Sequence, residues 1–396
     1  MHILIPALHR PVRPTGVCRH AANLARALAD SNHVCKVTLV IGCWQRDYFE
    51  RAFDLKSEKI TVVPVDIKNS SASRNYWFLQ GLPKIARLLN PDLIHLSFPF
   101  PFVRKRFNAP IVSTVHDLYP YECPQNFGYP KVLFNQVFLQ KCVRSSDGLV
   151  CVSKKTQEAL KAYFPQAKEQ KRIAVIYNVV DFLNIIPEVP RLLGEDASKP
   201  FLMTVAQHRK NKNLDLLIQA YATLRRSRRL ASDAKLIIVG STGPETEFLQ
   251  SLVEELDLGE QVLFLSGLED EELRWLYEQA SVFVIPSSTE GFCIPLAEAL
   301  TLGCSAVCSD IPIFREVGSS HCRYFKLDEQ ASHTLVEAIA AELDADKHPT
   351  AADSRFSKRT VSRQLLDFYT SLDASHHDKL RQKPLEESLK GLKEKV

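Results

Sequence analysis

Short apolar runs alternate along this sequence with longer segments in which apolar residues recur every three or four positions. The short runs, rich in Val, Ile and Leu, predict β-strands, and the longer periodic segments predict amphipathic α-helices. In the first half, strands are predicted at the N-terminus, 34–41, 60–65, 93–96, 110–115 and 148–152, with helices near 17–29, 75–89 and 130–144. Because the strand runs are continuously apolar, they indicate a parallel sheet covered on both faces, as in a doubly wound α/β domain.

A second cycle of the same kind follows a break in the periodicity. The segment 181–199 carries Pro187 and Pro190 among charged residues, which is typical of a connection between domains. Beyond it, strands are predicted at 201–205, 235–239, 261–265, 281–285 and 305–308, with helices near 213–229, 245–256, 270–279 and 294–302. The sequence therefore predicts two α/β domains of the same architecture.

The composition excludes several classes of protein. The 396 residues are 45% hydrophobic, enough for large cores, and 50 Lys plus Arg residues nearly balance 46 Asp plus Glu residues. This even balance argues against nucleic acid as a partner. Ten cysteines are scattered without a Cys-x-x-Cys pair or zinc-ligand spacing, which is typical of reduced thiols in the cytoplasm.

Any membrane contact is predicted to be peripheral and on the cytoplasmic face. The first residues lack the basic region of a signal peptide, and no apolar stretch reaches the roughly 18 residues that a spanning helix needs. Near the C-terminus, apolar residues at helical spacing lie beside several lysines, a pattern that fits either a weak membrane anchor or a solvated or core-packed helix. These apolar residues are Leu385, Leu389, Leu392 and Val396.

The most informative stretch runs from Pro286 to Ala299 and joins a predicted strand to a predicted helix. Pro295 suits the first helical turn, and the other free amides of that turn form an anion site together with the helix dipole. A diphosphate is the natural occupant of such a site. Glu298, expected in the same turn, has two explanations that spacing does not separate: it complements the dipole, or it binds a ribose diol.

Two glutamates separated by seven residues, within Ser-x-x-Glu-Gly-Phe and Glu-Ala-Leu, resemble the signature of the retaining GT-B glycosyltransferases of family 4. The resemblance implies that Glu290 orients the donor sugar and that Glu298 holds the ribose of the donor. It also implies that the backbone amides of Gly291, Phe292 and Cys293 meet the donor phosphates.

A basic pair in the loop 204–214 resembles a strand–loop–helix segment of the same family. The pair is Arg209 and Lys212. Negative charge grows on the β-phosphate as the nucleoside diphosphate leaves, so fixed cations there favour the transition state over the ground state. A solvated basic loop is the alternative reading of this segment.

Three further positions match family segments around the donor. Gly16 lies in a glycine loop that resembles the one facing the donor, and Gly267 lies in a loop that resembles the one meeting the base through backbone atoms. The resemblance implies that His116, which follows a strand, lies near the transferred sugar. A structural histidine is one alternative; a metal phosphohydrolase is another, but it needs further His and Asp ligands that the neighbouring sequence lacks.

The resemblance implies a GT-B architecture of two facing Rossmann-like domains. Its boundaries are 1–180 for an acceptor-side domain, 181–199 for a linker, 200–355 for a nucleotide-sugar donor domain, 356–375 for a crossover helix and 376–396 for a charged tail. The implied activity is a retaining, front-face hexosyl transfer to a glycan, a lipid-linked saccharide or a small molecule. The donor is a nucleotide-diphosphate sugar, no metal or other cofactor is expected, and the pathway is surface polysaccharide or glycoconjugate biosynthesis.

Two departures from the family pattern leave an alternative open. Ala206 and Cys293 stand where the family usually has glycine, which fits a catalytically silent, nucleotide-sugar-binding scaffold of the same fold. An NAD-dependent oxidoreductase is disfavoured because no Gly-x-Gly-x-x-Gly follows the first strand of either domain. A helix N-terminus lowers a thiol pKa, so we expect Cys293 to be reactive near the phosphates. Its Cβ matters only where φ is positive or a phosphate touches the backbone.

Overall fold

A computed structural model describes residues 1–12, 15–124, 128–170, 172–345 and 353–372. These residues form two parallel sheets. The strands of the first sheet are β1 (His2–Pro6), β2 (Lys36–Gly42), β3 (Ile60–Val65), β4 (Leu93–Leu96), β5 (Ile111–Val115), β6 (Gly148–Cys151) and β7 (Arg172–Val175). Those of the second are β8 (Phe201–Val205), β9 (Lys235–Val239), β10 (Val262–Leu265), β11 (Val282–Ile285), β12 (Ala306–Ser309) and β13 (Arg323–Phe325).

Each sheet reverses its strand order once, and this reversal decides where a ligand can bind. The first sheet has the order β3-β2-β1-β4-β5-β6-β7 and the second has the order β10-β9-β8-β11-β12-β13. The reversals lie between β1 and β4 and between β8 and β11. In open α/β sheets, the connections at such a point leave in opposite directions and open a crevice at the carboxyl ends of the strands. Each domain therefore has one crevice built by its own topology.

Helices connect the strands of both sheets. In the first domain they are α1 (Gly16–Ala29), α2 (Arg46–Ala52), α3 (Ser71–Tyr76), α4 (Leu82–Leu89), α5 (Tyr119–Glu122), α6 (Lys131–Ser145), α7 (Lys154–Tyr163) and α8 (Pro165–Gln170). In the second they are α9 (Leu214–Arg226), α10 (Thr246–Glu255), α11 (Asp270–Gln279), α12 (Ile294–Thr301), α13 (Pro312–Gly318) and α14 (Ala331–Leu343). A last helix, α15, covers residues 358–372.

Helices cover both faces of each sheet, as the continuously apolar strands predict. One face of the first sheet packs on α1, α2 and α15, and the other packs on α4. In the second domain, α11, α12 and α13 cover one face and α9, α10 and α14 cover the other. Every residue of β5 and of β11 is buried. The site loops that follow these strands therefore start from rigid, fully packed elements.

The helix predicted at 75–89 is divided into three pieces. A π-helical turn over Trp77–Gly81 separates α3 from α4. Pro83 lacks the N–H that a continuous α-helix would direct at Leu79, and this missing donor favours a change in helical register. A Cβ on Gly81 would also lie 2.4 Å from the indole of Trp77, so the turn closes only around a glycine.

The chain returns to the first domain after completing the second. Phe356 packs in the core of the second domain, whereas Tyr369 and Leu372 of α15 pack in the core of the first. Tyr369 also forms a short hydrogen bond to Nδ1 of buried His95. The predicted architecture of two Rossmann-like domains with a crossover helix is confirmed. The predicted charged tail, 376–396, lies outside the described residues.

No helix in the described ranges is both long and apolar enough to cross a membrane.

Candidate functional site

The carboxyl edges of the two sheets meet across a narrow cleft. Gly291, in the loop after β11, lies so close to the loop after β5 that a Cβ on it would come within 1.9 Å of the carbonyl oxygen of His116. Its own carbonyl accepts hydrogen bonds from Ser153 Oγ at 2.7 Å and from Thr156 Oγ1 at 3.2 Å. The Gly291 contacts therefore fix the separation of the two domains at this end of the cleft.

Glu290 is the centre of a buried polar cluster at the crevice of the second sheet. Its carboxylate forms an ion pair with Lys212, one of the basic residues of the loop after β8. Ser287 Oγ donates to the same carboxylate at 2.9 Å, and the hydroxyl of Tyr119, from the first domain, approaches the other oxygen at 3.3 Å. Three donors thus hold one carboxylate in a single orientation.

Two hydrogen bonds between neighbouring loops hold Lys212 and Glu290 close together. The amide N–H of Ser288 donates to the carbonyl of Asn211 at 2.9 Å, and the side-chain amide of Asn213 donates to the carbonyl of Pro286 at 2.8 Å. Asn213 has φ 48°, a left-handed conformation that asparagine tolerates better than most residues. The two loops flanking the strand reversal therefore behave as one unit.

Arg209 lies at the same edge and forms no ion pair within the part of the chain that the structure describes. Its Nε donates to Oε1 of Gln207 at 2.7 Å, which orients the guanidinium without neutralising it. The charge of Lys212, by contrast, is already matched by Glu290. The cluster thus contains one more cation than anion, which suits an anionic ligand.

Glu298 lies just beyond the first turn of α12, because the helix begins at Ile294 and its first turn contains no acidic residue. The expectation that it lies in the first turn is wrong. The side chain is only 3% exposed and accepts a hydrogen bond from the hydroxyl of Tyr277 at 3.0 Å. Burial raises the pKa of Glu298 to about 7, against the opposing effect of the Arg19 guanidinium. Its charge therefore changes near neutral pH.

Arg19 reaches Glu298 from the first domain, and sequence reasoning did not single it out. Its Nε lies 4.0 Å from the Glu298 carboxylate, and its two terminal nitrogens bind both oxygens of Asp270 at the start of α11. The guanidinium also lies 5.4 Å from the ring centroid of Phe182. The only sequence signal for this residue is its place in the glycine loop 15–19; its partners come from another domain.

The loop 291–293 has a buried side chain at two of its three positions. The ring of Phe292 packs in the core between Tyr177 and Phe356, so only its backbone can face a ligand. Cys293 has φ 69°, the conformation in which a Cβ is disfavoured, so its departure from glycine does carry a steric cost. Burial, followed by the charge of Glu290, raises the pKa of the Cys293 thiol. The expected low-pKa thiol is therefore wrong, because burial outweighs the helix terminus.

His116 is placed at the edge of the cleft as a neutral imidazole. Burial lowers its pKa to about 4. Its Nε2 lies 2.9 Å from the carbonyl of Ser97, which can only accept, so Nε2 carries the proton and Nδ1 is left as an acceptor. The ring of His20 meets it edge-on at 4.5 Å. His116 can therefore accept a hydrogen bond from a hydroxyl in the cleft.

The two remaining glycines have different surroundings. Gly16 begins α1, and a Cβ on it would have no described atom within 4 Å, so there is open space beside this residue. Gly267, in the loop after β10, has φ 73° and adopts a conformation that favours glycine.

Two doubly wound domains that face each other across a cleft, with a crossover helix, define the GT-B class of glycosyltransferases. The model described as Glycosyltransferase Family 4 matches residues 14–182, and the model described as Glycosyl transferases group 1 matches residues 186–359. This chain belongs to family 4 of the GT-B glycosyltransferases.

Two curated relatives and one solved structure are similar over most of the chain. O-antigen chain mannosyltransferase RfbU of Salmonella typhimurium is 28% identical over 297 residues, 72% of this chain and 76% of the relative. O-antigen chain mannosyltransferase B of Escherichia coli is 25% identical over 320 residues, 76% of this chain and 81% of the relative. The structure of Anabaena Alr3699/HepE in complex with UDP and glucose has a TM-score of 0.66 at 18% identity, covering 94% of this chain and all of that one. The chain is a glycosyltransferase by family.

Proposed function

We propose that this protein is a retaining hexosyltransferase that moves a sugar from a nucleotide-diphosphate donor to a saccharide acceptor in surface polysaccharide biosynthesis. The names of the curated relatives, both O-antigen chain mannosyltransferases, support this pathway. The single observation that carries the proposal is the Arg209, Lys212 and Glu290 cluster at the strand reversal of the second sheet.

The two cations stabilise the leaving group in this proposal. When the bond between the sugar C1 and the β-phosphate oxygen breaks, its electron pair stays on the phosphate. Arg209 has no competing carboxylate among the described residues, and Lys212 is held in place by Glu290, so both charges are in position before the reaction. Preorganised charges aimed at developing negative charge are worth about 2.7–4 kcal/mol each in comparable sites.

In the proposed retaining reaction, Glu290 positions the donor and does not attack C1. Lys212, Ser287 and Tyr119 all contact its carboxylate, so it is a positioning group rather than a free nucleophile. The acceptor oxygen then forms its bond to C1 on the face that the phosphate leaves, and its proton passes to the departing phosphate oxygen. His116 accepts a hydrogen bond from a hydroxyl of the donor sugar through Nδ1. No divalent metal is needed in this scheme.

A catalytically silent scaffold is the second candidate, and one observation favours it. Cys293 puts a Cβ at a left-handed position of the loop that is proposed to meet the phosphates. A scaffold would bind a nucleotide sugar without turning it over. An active enzyme releases nucleoside diphosphate slowly by hydrolysis even without an acceptor.

The test is a panel of nucleotide sugars, with GDP-mannose included because of the relatives' names. Each donor is incubated with the protein, and binding and nucleoside diphosphate release are measured separately. We expect one donor to bind and to release nucleoside diphosphate. Tight binding with no release, in the presence of saccharide and lipid-linked acceptors, would contradict the enzyme and favour the scaffold.

We also propose peripheral contact with an anionic membrane through α6 and the residues just before it. Tyr129 and Phe134 are 82% and 61% exposed, and Leu133 and Val137 are exposed on the same segment. The helix carries three cations, Lys131, Lys141 and Arg144, and no acidic residue. These cations form no ion pair among the described residues, and exposed aromatic and aliphatic side chains beside such cations suit an interface with anionic lipid.

The position of α6 fits an acceptor that is delivered from a membrane. The side-chain amide of Gln136 in α6 donates to the carbonyl of Pro120 in α5 at 2.7 Å, and Tyr119 of α5 contacts Glu290. The apolar segment therefore lies next to the mouth of the cleft. The membrane anchor predicted in the tail lies outside the described residues, so α6 is a separate candidate.

Flotation with anionic vesicles tests this surface. Replacing both Leu133 and Phe134 by Ser should abolish flotation, whereas Leu88→Ser, at an 83% exposed position of α4, should not. Equal flotation of the double variant and the parent would refute the α6 proposal.

A further inference from the structure

A second set of hydrogen-bond donors lies at the crevice of the first sheet, outside the donor machinery. His9 and Arg10 follow β1, and Phe98 follows β4, so they flank the strand reversal of the first sheet. Arg74, in α3, reaches the same place and donates through Nη1 to the carbonyl of Leu8 at 3.2 Å. The topology of the first sheet therefore supplies a basic crevice that faces the cleft.

Two of these donors are buried without a hydrogen-bond partner among the described residues. Nε2 of His9, a residue only 4% exposed, has none, and neither has Nε of Arg74. The imidazole of His9 is held between the rings of Phe98 and Phe100, with centroids 6.3 and 5.9 Å away. A buried polar group left unpaired costs about 1–3 kcal/mol, so both nitrogens indicate a missing hydrogen-bond partner. The N–H of Arg74 can only donate, and Nε2 of His9 donates in the tautomer that suits an anion.

The charges around these donors are all of one sign. Neither Arg74 nor Arg10 forms an ion pair in the described ranges. Burial and the charge of Arg10 lower the pKa of Arg74 to about 10. Burial, followed by the effects of His116 and Arg74, lowers the pKa of His9 to about 3. Among the described residues, no carboxylate affects either group, so the described part of the chain supplies no negative charge to balance this site.

From these observations we infer that Arg74, Arg10 and His9 bind a phosphate or diphosphate group carried by the acceptor. Two guanidinium groups and an imidazole can together donate several hydrogen bonds to a doubly charged oxyanion. A guanidinium can also bind two oxygens of a phosphate at once. The site lies on the acceptor side of the cleft, because the ring of Phe98 lies 6.3 Å from that of His9 and 6.0 Å from that of His116, and the carbonyl of His116 meets Gly291 of the donor domain. The inference rests on the proposed function and specifies its acceptor.

Binding of inorganic pyrophosphate measures the site without any turnover. The donor site is first saturated with the nucleoside diphosphate that binds best, and pyrophosphate is then titrated by calorimetry. We expect Arg74→Gln to weaken pyrophosphate binding at least tenfold. Arg87→Gln is the matched control, because Arg87 also donates a single hydrogen bond to a backbone carbonyl but lines a cavity at the amino edge of the sheet. No pyrophosphate binding to the parent, or equal binding to parent and Arg74→Gln, would overturn the inference.

Transfer kinetics identify the source of the phosphate. A polyprenyl-diphosphate saccharide in detergent and a soluble hexose 1-phosphate are compared as acceptors with a neutral saccharide. In Arg74→Gln, kcat/KM for the phosphate-bearing acceptor that is used should fall at least tenfold more than the rate of acceptor-independent donor hydrolysis. Arg74→Lys should restore part of the lost kcat/KM. A higher kcat/KM with the polyprenyl-diphosphate saccharide would identify a lipid-linked acceptor. A higher kcat/KM with the hexose 1-phosphate would identify a soluble acceptor.

Equal loss of hydrolysis and transfer in Arg74→Gln would overturn the inference. An equal loss of transfer to the neutral and to the phosphate-bearing acceptor would overturn it as well, because only the second acceptor can use the site. Arg10→Gln, at an exposed position, provides the same comparison if Arg74→Gln does not fold. A parent that hydrolyses no donor would instead refute the proposed function, so the two failures are distinguishable.

Discussion

The affinity for nucleoside diphosphate should depend on pH through Glu298. Its pKa is raised to about 7 because it is buried. Only the ionised carboxylate accepts hydrogen bonds from both hydroxyls of a ribose. With a pKa of about 7, about one molecule in eleven is ionised at pH 6 and about ten in eleven at pH 8. Affinity should therefore rise roughly tenfold between these pH values.

Calorimetry between pH 6 and 8 measures this dependence, and two variants isolate it. Glu298→Gln cannot ionise, so its affinity should be lower at pH 8 and should keep only the pH dependence of the ligand phosphates. Arg19→Gln removes the cation that opposes the shift, so its midpoint should move to higher pH. The same pH dependence in the parent and in Glu298→Gln would refute the reasoning.

Folding stability should respond to the same group. The pKa of Glu298 rises from 4.5 to about 7 on folding, so the folded state holds the proton more tightly than the unfolded chain does. Its contribution is therefore complete below pH 4.5 and is lost as the pH rises through 7. The loss amounts to about 3 kcal/mol. Urea unfolding of Glu298→Gln should show a smaller decrease across this range.

Three other predictions concern the cleft. Gly291→Ala should lower transfer at least tenfold while thermal unfolding stays cooperative. The Cβ of the new alanine would collide with the carbonyl of His116 and force the domains apart, and parent-like transfer would contradict this. Cys293 should react with iodoacetamide more slowly than exposed Cys35 and Cys43, as mass spectrometry can measure, and faster labelling would contradict its buried, raised-pKa state. EDTA should leave transfer unchanged, and complete loss restored by Mg²⁺ or Mn²⁺ would rule out a purely cationic phosphate site.

The pattern of apolar runs was sufficient to predict the strands that form the centre of each sheet. β5 and β11 are buried at every position, so their runs of apolar residues are uninterrupted. β7 and β13 were missed because they are short edge strands whose residues are partly exposed. A strand that is buried on both faces has an uninterrupted apolar sequence that is easy to recognise, whereas a partly exposed edge strand does not.

The site was predictable as far as single loops determine it. Lys212 and Glu290 belong to loops that resemble family segments, and the structure brings them together. Arg19 and Tyr119 could not be assigned, because their roles depend on how the two domains face each other. The Cys293 thiol was misjudged for a similar reason: local position favours ionisation, but tertiary burial opposes it more strongly.

The central claim is that Arg209 and Lys212 stabilise the departing nucleoside diphosphate, and single-turnover kinetics test it most directly. Lys210→Ala is the matched control, because Lys210 lies in the same turn but is exposed and lies 3.9 Å from Asp215. With saturating donor, Arg209→Ala and Lys212→Ala should each lower turnover about a hundredfold, with a smaller loss of donor affinity. Lys210→Ala should behave like the parent. Near-parent turnover in both folded Arg209→Ala and Lys212→Ala would contradict the account.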